Sequence, residues 1–211
     1  MTAIRQAPDI DTLVGRVSAL LDIPITSDSI PSQAQVIQWL NDGLLVLTKL
    51  LPEERMAWAQ HEDEHDDVGS ELHLEGSDII RIVSVAKYGF TCTEKTIDYL
   101  RSMKARMPYM ATVMSPYYAR FGRSGKVRLK FLPESKGKIT LSYIRMPTAY
   151  TSSWTPDDYS APAELEELIV DYAVVRGKIQ DEEPQQVQLL WQAWFQSAGL
   201  EPNLDMTGVE E

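Results

Sequence analysis

The residues best suited to chemistry stand together at His61-Glu62-Asp63-Glu64-His65. On a helix, H-E-x-x-H sets two imidazoles on one face to hold zinc and leaves the glutamate as general base. Such a helix needs an apolar face packed behind it, yet positions 63, 64, 66 and 67 are all acidic. A third ligand is also required, and the other histidine, His73, lies eight residues on with no recognised spacing. Residues 61–67 therefore read as an acidic, solvated loop. Zinc hydrolysis by His61, Glu62 and His65 stands only as an alternative, with His61 and His65 as weak metal candidates.

Nucleophilic chemistry finds less support. No G-x-S-x-G elbow is present, and all three histidines fall within residues 61–73. The single cysteine, Cys92, has no local motif and fits a reducing site of synthesis. Gly122-Arg123-Ser124-Gly125 reads as a turn between strands, without the strand-to-helix setting of a phosphate loop. The expectation is a protein that is not an enzyme and takes no cofactor.

A second set of chemically apt residues is basic. Residues 79–150 carry 14 Lys and Arg against 3 Asp and Glu, whereas residues 1–78 carry 4 against 15 and residues 151–211 carry 2 against 13. The net charge of −11 thus conceals segments of −11, +11 and −11. Segregation of this kind speaks to association and steering. The basic residues are Arg101, Lys104, Arg106, Arg120, Arg123, Lys126, Arg128, Lys130, Lys136 and Lys138, with Tyr109, Tyr117, Tyr118 and Phe121 nearby. Three roles fit them. They can contact phosphate and stack bases, making residues 101–138 a nucleic-acid-binding module. They can form a solvated sheet face that discourages edge-to-edge aggregation. They can also meet the acidic flanks of a second copy, a head-to-tail contact that closes into a ring.

The elements that must position these groups follow from periodicity. Residues 117–147 hold two alternating patterns, Val127, Leu129 and Phe131 in one and Ile139, Leu141 and Tyr143 in the other, with Pro133 and residues 134–137 between them. They predict an antiparallel hairpin with one apolar and one strongly basic face. Short strands are expected at 72–74 and 79–85, and a helix over 93–107. Helical spacing predicts helices at about 11–22, at 35–51 behind a Ser32–Gln35 capping box, at 161–178, and from 184 to the stop at Gly199. Gly43 inside the second helix fits either a close helix–helix contact or a merely tolerated glycine. Trp191, Trp194 and Phe195 form an apolar stripe that reads as core, or in part as a surface for a partner subunit. Residues 147–160 read as a polar linker and residues 199–211 as a flexible acidic arm.

The fold class is accordingly α+β. A helical bundle built from residues 1–67 and 151–198 would carry an inserted antiparallel, basic, β-rich subdomain over 68–150. Apolar stretches are broken well before the roughly 18 residues a membrane span needs, and the first residues open no signal-peptide pattern. The expected compartment is a cytoplasm-like one.

The order of elements resembles the head-to-tail adaptor (connector or head-completion) proteins of tailed bacteriophages. The resemblance is carried by QVIQWLNDGLLVLTKLL at 35–51, by Pro116-Tyr117-Tyr118 before the strands and Tyr143-Ile144-Arg145-Met146-Pro147 after them, and by AELEELIVDYAVVRGK at 163–178. It implies a non-enzymatic virion component of the neck, between head and tail, assembled in the host cytoplasm. Such proteins form a ring, usually of twelve copies, that joins the portal to the tail and extends the channel through which double-stranded DNA passes during ejection. The resemblance makes residues 199–211 a portal-contacting arm, with Leu200, Pro202, Leu204, Met206 and Val209 as its apolar residues. Arg120, Arg123, Lys126, Arg128, Lys130, Lys136 and Lys138 become candidates for the interface with a neighbouring subunit or with tail and neck proteins. Residues 61–67 have no counterpart in that pattern.

Overall fold

The computed structural model describes residues 10–75, 79–106, 112–123, 126–155, 160–179 and 184–200. The chain divides into two compact units, residues 1–58 with 147–211, and residues 59–146. The fold is α+β, the first unit helical and the second built on two sheets.

In the helical unit, α1 (Ile10–Leu21), α2 (Gln33–Leu50), α4 (Ala163–Lys178) and α5 (Pro184–Ser197) are the described helices. The segment AELEELIVDYAVVRGK is apolar on nearly every side, which is the pattern of a helix enclosed by others. Accordingly α4 is central, packed by α1, α2 and α5, and buries residues from Leu165 to Val175, Glu166 among them. Ser32 caps α2 with the expected box, its hydroxyl accepting from Gln35 N–H while the Gln35 side chain accepts from Ser32 N–H. Of the two readings of Gly43 the structure shows the close contact, because a Cβ there would lie 3.0 Å from the Tyr172 ring. Gly199, with φ of +67°, ends α5.

The expected linker at 147–160 is in part a packed strap. Asn41 holds it from α2, its Nδ2 donating to Tyr150 O at 2.9 Å and its Oδ1 accepting from Tyr150 N–H at 2.7 Å. Tyr150 and Trp154 are buried edge to face, with centroids 4.7 Å apart. Polar neighbours such as Ser152 and Thr155 hide two aromatics from a reading by composition.

The second unit is a sandwich. One sheet has the order β1 (Gln60–Val68), β8 (Gly137–Arg145), β3 (Ile79–Lys87), β4 (Phe90–Thr91). The other has the order β2 (Glu71–Glu75), β7 (Lys126–Leu132), β6 (Tyr117–Arg123), β5 (Thr93–Glu94), the last pairing parallel. Leu74, Tyr118, Leu129 and Phe131 of the second sheet meet Val85, Ile139, Leu141 and Tyr143 of the first in one core. The short helix α3 (Ile97–Arg106) covers part of the second sheet through Leu100 and Met103 against Ala119 and Leu132.

Two expectations are corrected here. The strands at 126–132 and 137–145 do not form a hairpin, since β7 pairs with β6 and β2, and β8 with β1 and β3. Alternation only requires that both apolar faces be covered. They cover each other across the sandwich, and the Pro133 segment carries the chain between sheets. Residues 61–67 are not a loop: they are the body of β1, whose polar alternation is invisible to a search for apolar period two.

Tyr88 and Gly89 both have positive φ, 57° and 81°, the geometry of a two-residue hairpin turn between β3 and β4. The Tyr88 ring lies over Gly137, where an added Cβ would come within 2.1 Å of Cε1, and its hydroxyl is hydrogen-bonded to Ser135. Gly137→Ala is expected to destabilise the unit by about 1–3 kcal/mol in chemical denaturation. In a Tyr88→Gly background the same change should be near neutral, and an undiminished cost there would refute the ring clash.

Candidate functional site

Strand geometry decides the H-E-x-x-H motif. At about 3.3 Å per residue, positions 61 and 65 stand roughly 13 Å apart, too far to share one ion. Among the described residues no group of three or more His, Cys, Asp or Glu is placed to hold a metal. Alternation exposes Glu62, Glu64 and Asp66 and leaves His61, Asp63 and His65 half-buried. Asp63 Oδ1 lies 3.2 Å from His61 Nε2, and Asp63 Oδ2 accepts from the Tyr143 hydroxyl at 2.9 Å. The His61 ring meets Tyr143 edge on. These groups bind β1 to β8.

The exposed acids answer the basic strands within the same unit. Glu64 Oε1 accepts from Lys138 Nζ at 2.7 Å, a contact that raises the lysine's pKa. Glu71 of β2 lies 3.6 Å from Lys130 and 3.5 Å from His73. With β1 and β2 included, residues 59–146 hold 14 Lys and Arg against 11 Asp and Glu, a net of +3, and the helical unit holds 6 against 20, a net of −14. The excess of acid belongs to the helical unit, most of it outside the four α-helices, and the strongly basic segment is largely compensated by its own sheet neighbours.

The seven basic interface candidates do not share one face. Arg128 and Lys130 lie on the outer side of the β2–β7–β6–β5 sheet, whereas Lys138 lies on the outer side of the other, across the sandwich. Arg120 shares the Tyr118 side of β6 and is exposed, and Lys136 is exposed in the connection between sheets. Arg123 and Lys126 oppose one another in the β6–β7 register; their side chains, with those of Lys104 and Arg106, lie outside the described residues, as does Tyr109. Arg101 is paired with Asp98 at 3.2 Å. Exposed Arg120, Arg128 and Lys136 remain as surface cations available to a partner.

Among the arm residues, Leu200 is half-buried and its N–H donates to Phe195 O at 2.9 Å. Pro202, Leu204, Met206 and Val209 lie outside the described residues. The base of the arm is fixed: Arg55 Nη1 donates to Ala198 O at 2.6 Å, satisfying a carbonyl of the last turn of α5.

One surface escaped the sequence reading. An open groove of about 480 Å³ runs between α2 and α4, with Leu45, Val46, Leu50 and Tyr172 as its apolar lining and Lys49 and Arg176 at its rim. Its signal is the run Leu44-Leu45-Val46-Leu47, which places apolar side chains outside the one buried stripe.

The SU10 adaptor protein family model matches residues 8–205, spanning both units. The chain belongs to that family. No curated protein matches it. As an SU10 adaptor it is a structural phage protein, and its family is not one of enzymes. The resemblance carried by residues 35–51, 116–147 and 163–178 is thereby shown at the level of the phage adaptor. No described helix of the SU10 adaptor is long and apolar enough to cross a membrane.

Proposed function

We propose that this SU10 adaptor assembles as a homo-oligomeric ring of about twelve copies in the virion neck, joining the portal to the tail and extending the DNA channel. The family match over residues 8–205 carries the reading, and the division of charge supports it. A helical unit of −14 and a sheet unit of +3 suit a heterologous contact in which unlike surfaces of successive copies meet. Acid on the channel wall would let DNA slide without adhering, since like charge repels phosphate. Residues 199–211 act as the portal-contacting arm, and the insert over 68–150 faces a neighbouring subunit or the tail.

The expected result is a ring on the cognate portal in electron micrographs of the mixed proteins. Persistent monomers with no ring on the portal would defeat the proposal. Arg120→Glu, Arg128→Glu and Lys136→Glu together should leave the unfolding midpoint of the isolated subunit within the shift expected for surface changes, about 0.5 kcal/mol each, and abolish the ring. Rings formed undiminished by this variant would remove these cations from the interface.

A further inference from the structure

We propose that residues 201–211 of the same chain occupy the groove between α2 and α4 in the free subunit. The groove presents apolar side chains to solvent: Leu45 and Val46 are half-buried and Leu50 is 45% exposed. At its rim stand Lys49 and Arg176, two of only six basic residues in a unit with twenty acidic ones. A ligand for this site should be apolar and acidic. Residues 201–211, EPNLDMTGVEE, supply Leu204, Met206 and Val209 together with four carboxylate side chains and no base. The single acid on the rim, Asp42, leaves the two cations in the majority.

The exit of the chain from α5 favours occupation within one copy. Arg55, which holds Ala198, follows Leu50 by five residues, so at most about 18 Å of backbone and one arginine side chain separate the groove's Leu50 end from the base of the arm. From Leu50 to Gln38 the helix rises about 18 Å. Eleven extended residues reach about 36–40 Å, enough to arrive and lie along the Leu50 half of the groove. At a neck assembly the same apolar side chains would pass from this groove to the portal, a step that rests on the proposed ring, whereas the occupation itself does not.

The test is hydrogen exchange on the full chain, without portal. Leu204→Ser, Met206→Ser and Val209→Ser together should speed exchange in the second half of α2, and a synthetic peptide of residues 200–211 added to that variant should restore protection. Lys49→Glu with Arg176→Glu, checked for unchanged helical circular dichroism, should weaken peptide binding about tenfold or more, two attractive contacts having become repulsive. Unchanged exchange in the arm variant, or no peptide binding, overturns the proposal. Protection that disappears on dilution of the parent chain also overturns it, because the occupant would then be the arm of a second copy.

Discussion

Lys87→Ala is expected to lower the stability of the sheet unit by about 2–4 kcal/mol. Lys87 is wholly enclosed at the end of β3, and its ammonium donates to Gly69 O at 2.7 Å and Pro133 O at 3.1 Å. Those carbonyls belong to two of the connections that carry the chain between sheets, from β1 to β2 and from β7 to β8. The ammonium also lies 5.1 Å from the Phe131 ring centroid and 5.3 Å from that of Tyr88. Alanine removes both donors and leaves a void; Lys87→Met refills the void and isolates the loss of the hydrogen bonds, about 1–3 kcal/mol.

The same residue gives a pH signature. Burial holds the ammonium below its ordinary value of 10.5, with the charge of Cys92 and then Glu134 opposing the shift. The folded chain therefore binds this proton less tightly than the unfolded chain. Below the folded value both states are protonated and the contribution is constant. As pH rises from the folded value to 10.5 the unfolded state holds more protons, so stability contributed at this site increases. Denaturation of parent and Lys87→Met in parallel should show the deficit of the variant growing over that interval. A deficit that does not change with pH would show that burial does not perturb this lysine.

Lys87 also marks the limit of what the sequence made legible. Helix α2, its capping box and the stop at Gly199 follow from local rules, because each is set by residues within a few positions of one another. The pairing of strands is not local. Alternation at 126–131 and 138–143 told which side chains face a core, but a hairpin and a sandwich satisfy it equally, and only contacts between distant residues separate them. Acidic β1 was missed for a related reason: its inward positions are His61, Asp63 and His65, whose burial depends on Tyr143 and β8 rather than on hydrophobicity. Once β1 and β2 join the sheets, Glu64 and Glu71 take up Lys138 and Lys130, and a basic face that looked like a binding site shrinks to a few exposed residues. Clusters of like charge along a sequence locate strands that need partners as readily as they locate ligands.

Trp194→Ala is the change expected to cost most, about 3–5 kcal/mol. Trp194 is 2% exposed, and its indole N–H donates to Leu168 O at 2.8 Å, tying α5 to central α4. Its ring meets Tyr172 at 5.3 Å, Phe195 at 5.2 Å and Trp191 at 5.9 Å, all in edge-to-face arrangements. Tyr172 in turn packs on Gly43 of α2, so one aromatic cluster joins three helices. Trp194→Phe keeps a ring in place and loses the indole hydrogen bond, while Leu168 O keeps its helical i+4 partner, and should cost less, about 0.5–1.5 kcal/mol for the bond. Hydrogen exchange separates a local effect from a global one: in Trp194→Ala the amides of α5 should open first, whereas those of β8 keep their protection. The consequence reaches the arm. Residues 201–211 leave from Ala198 and Gly199, which are held in position only as long as α5 is docked and Arg55 can reach Ala198 O. A subunit with α5 released should therefore fail to assemble on the portal at temperatures where its sheet unit is intact, and Trp194→Phe should assemble. Normal assembly by Trp194→Ala would show that the arm works without a fixed base.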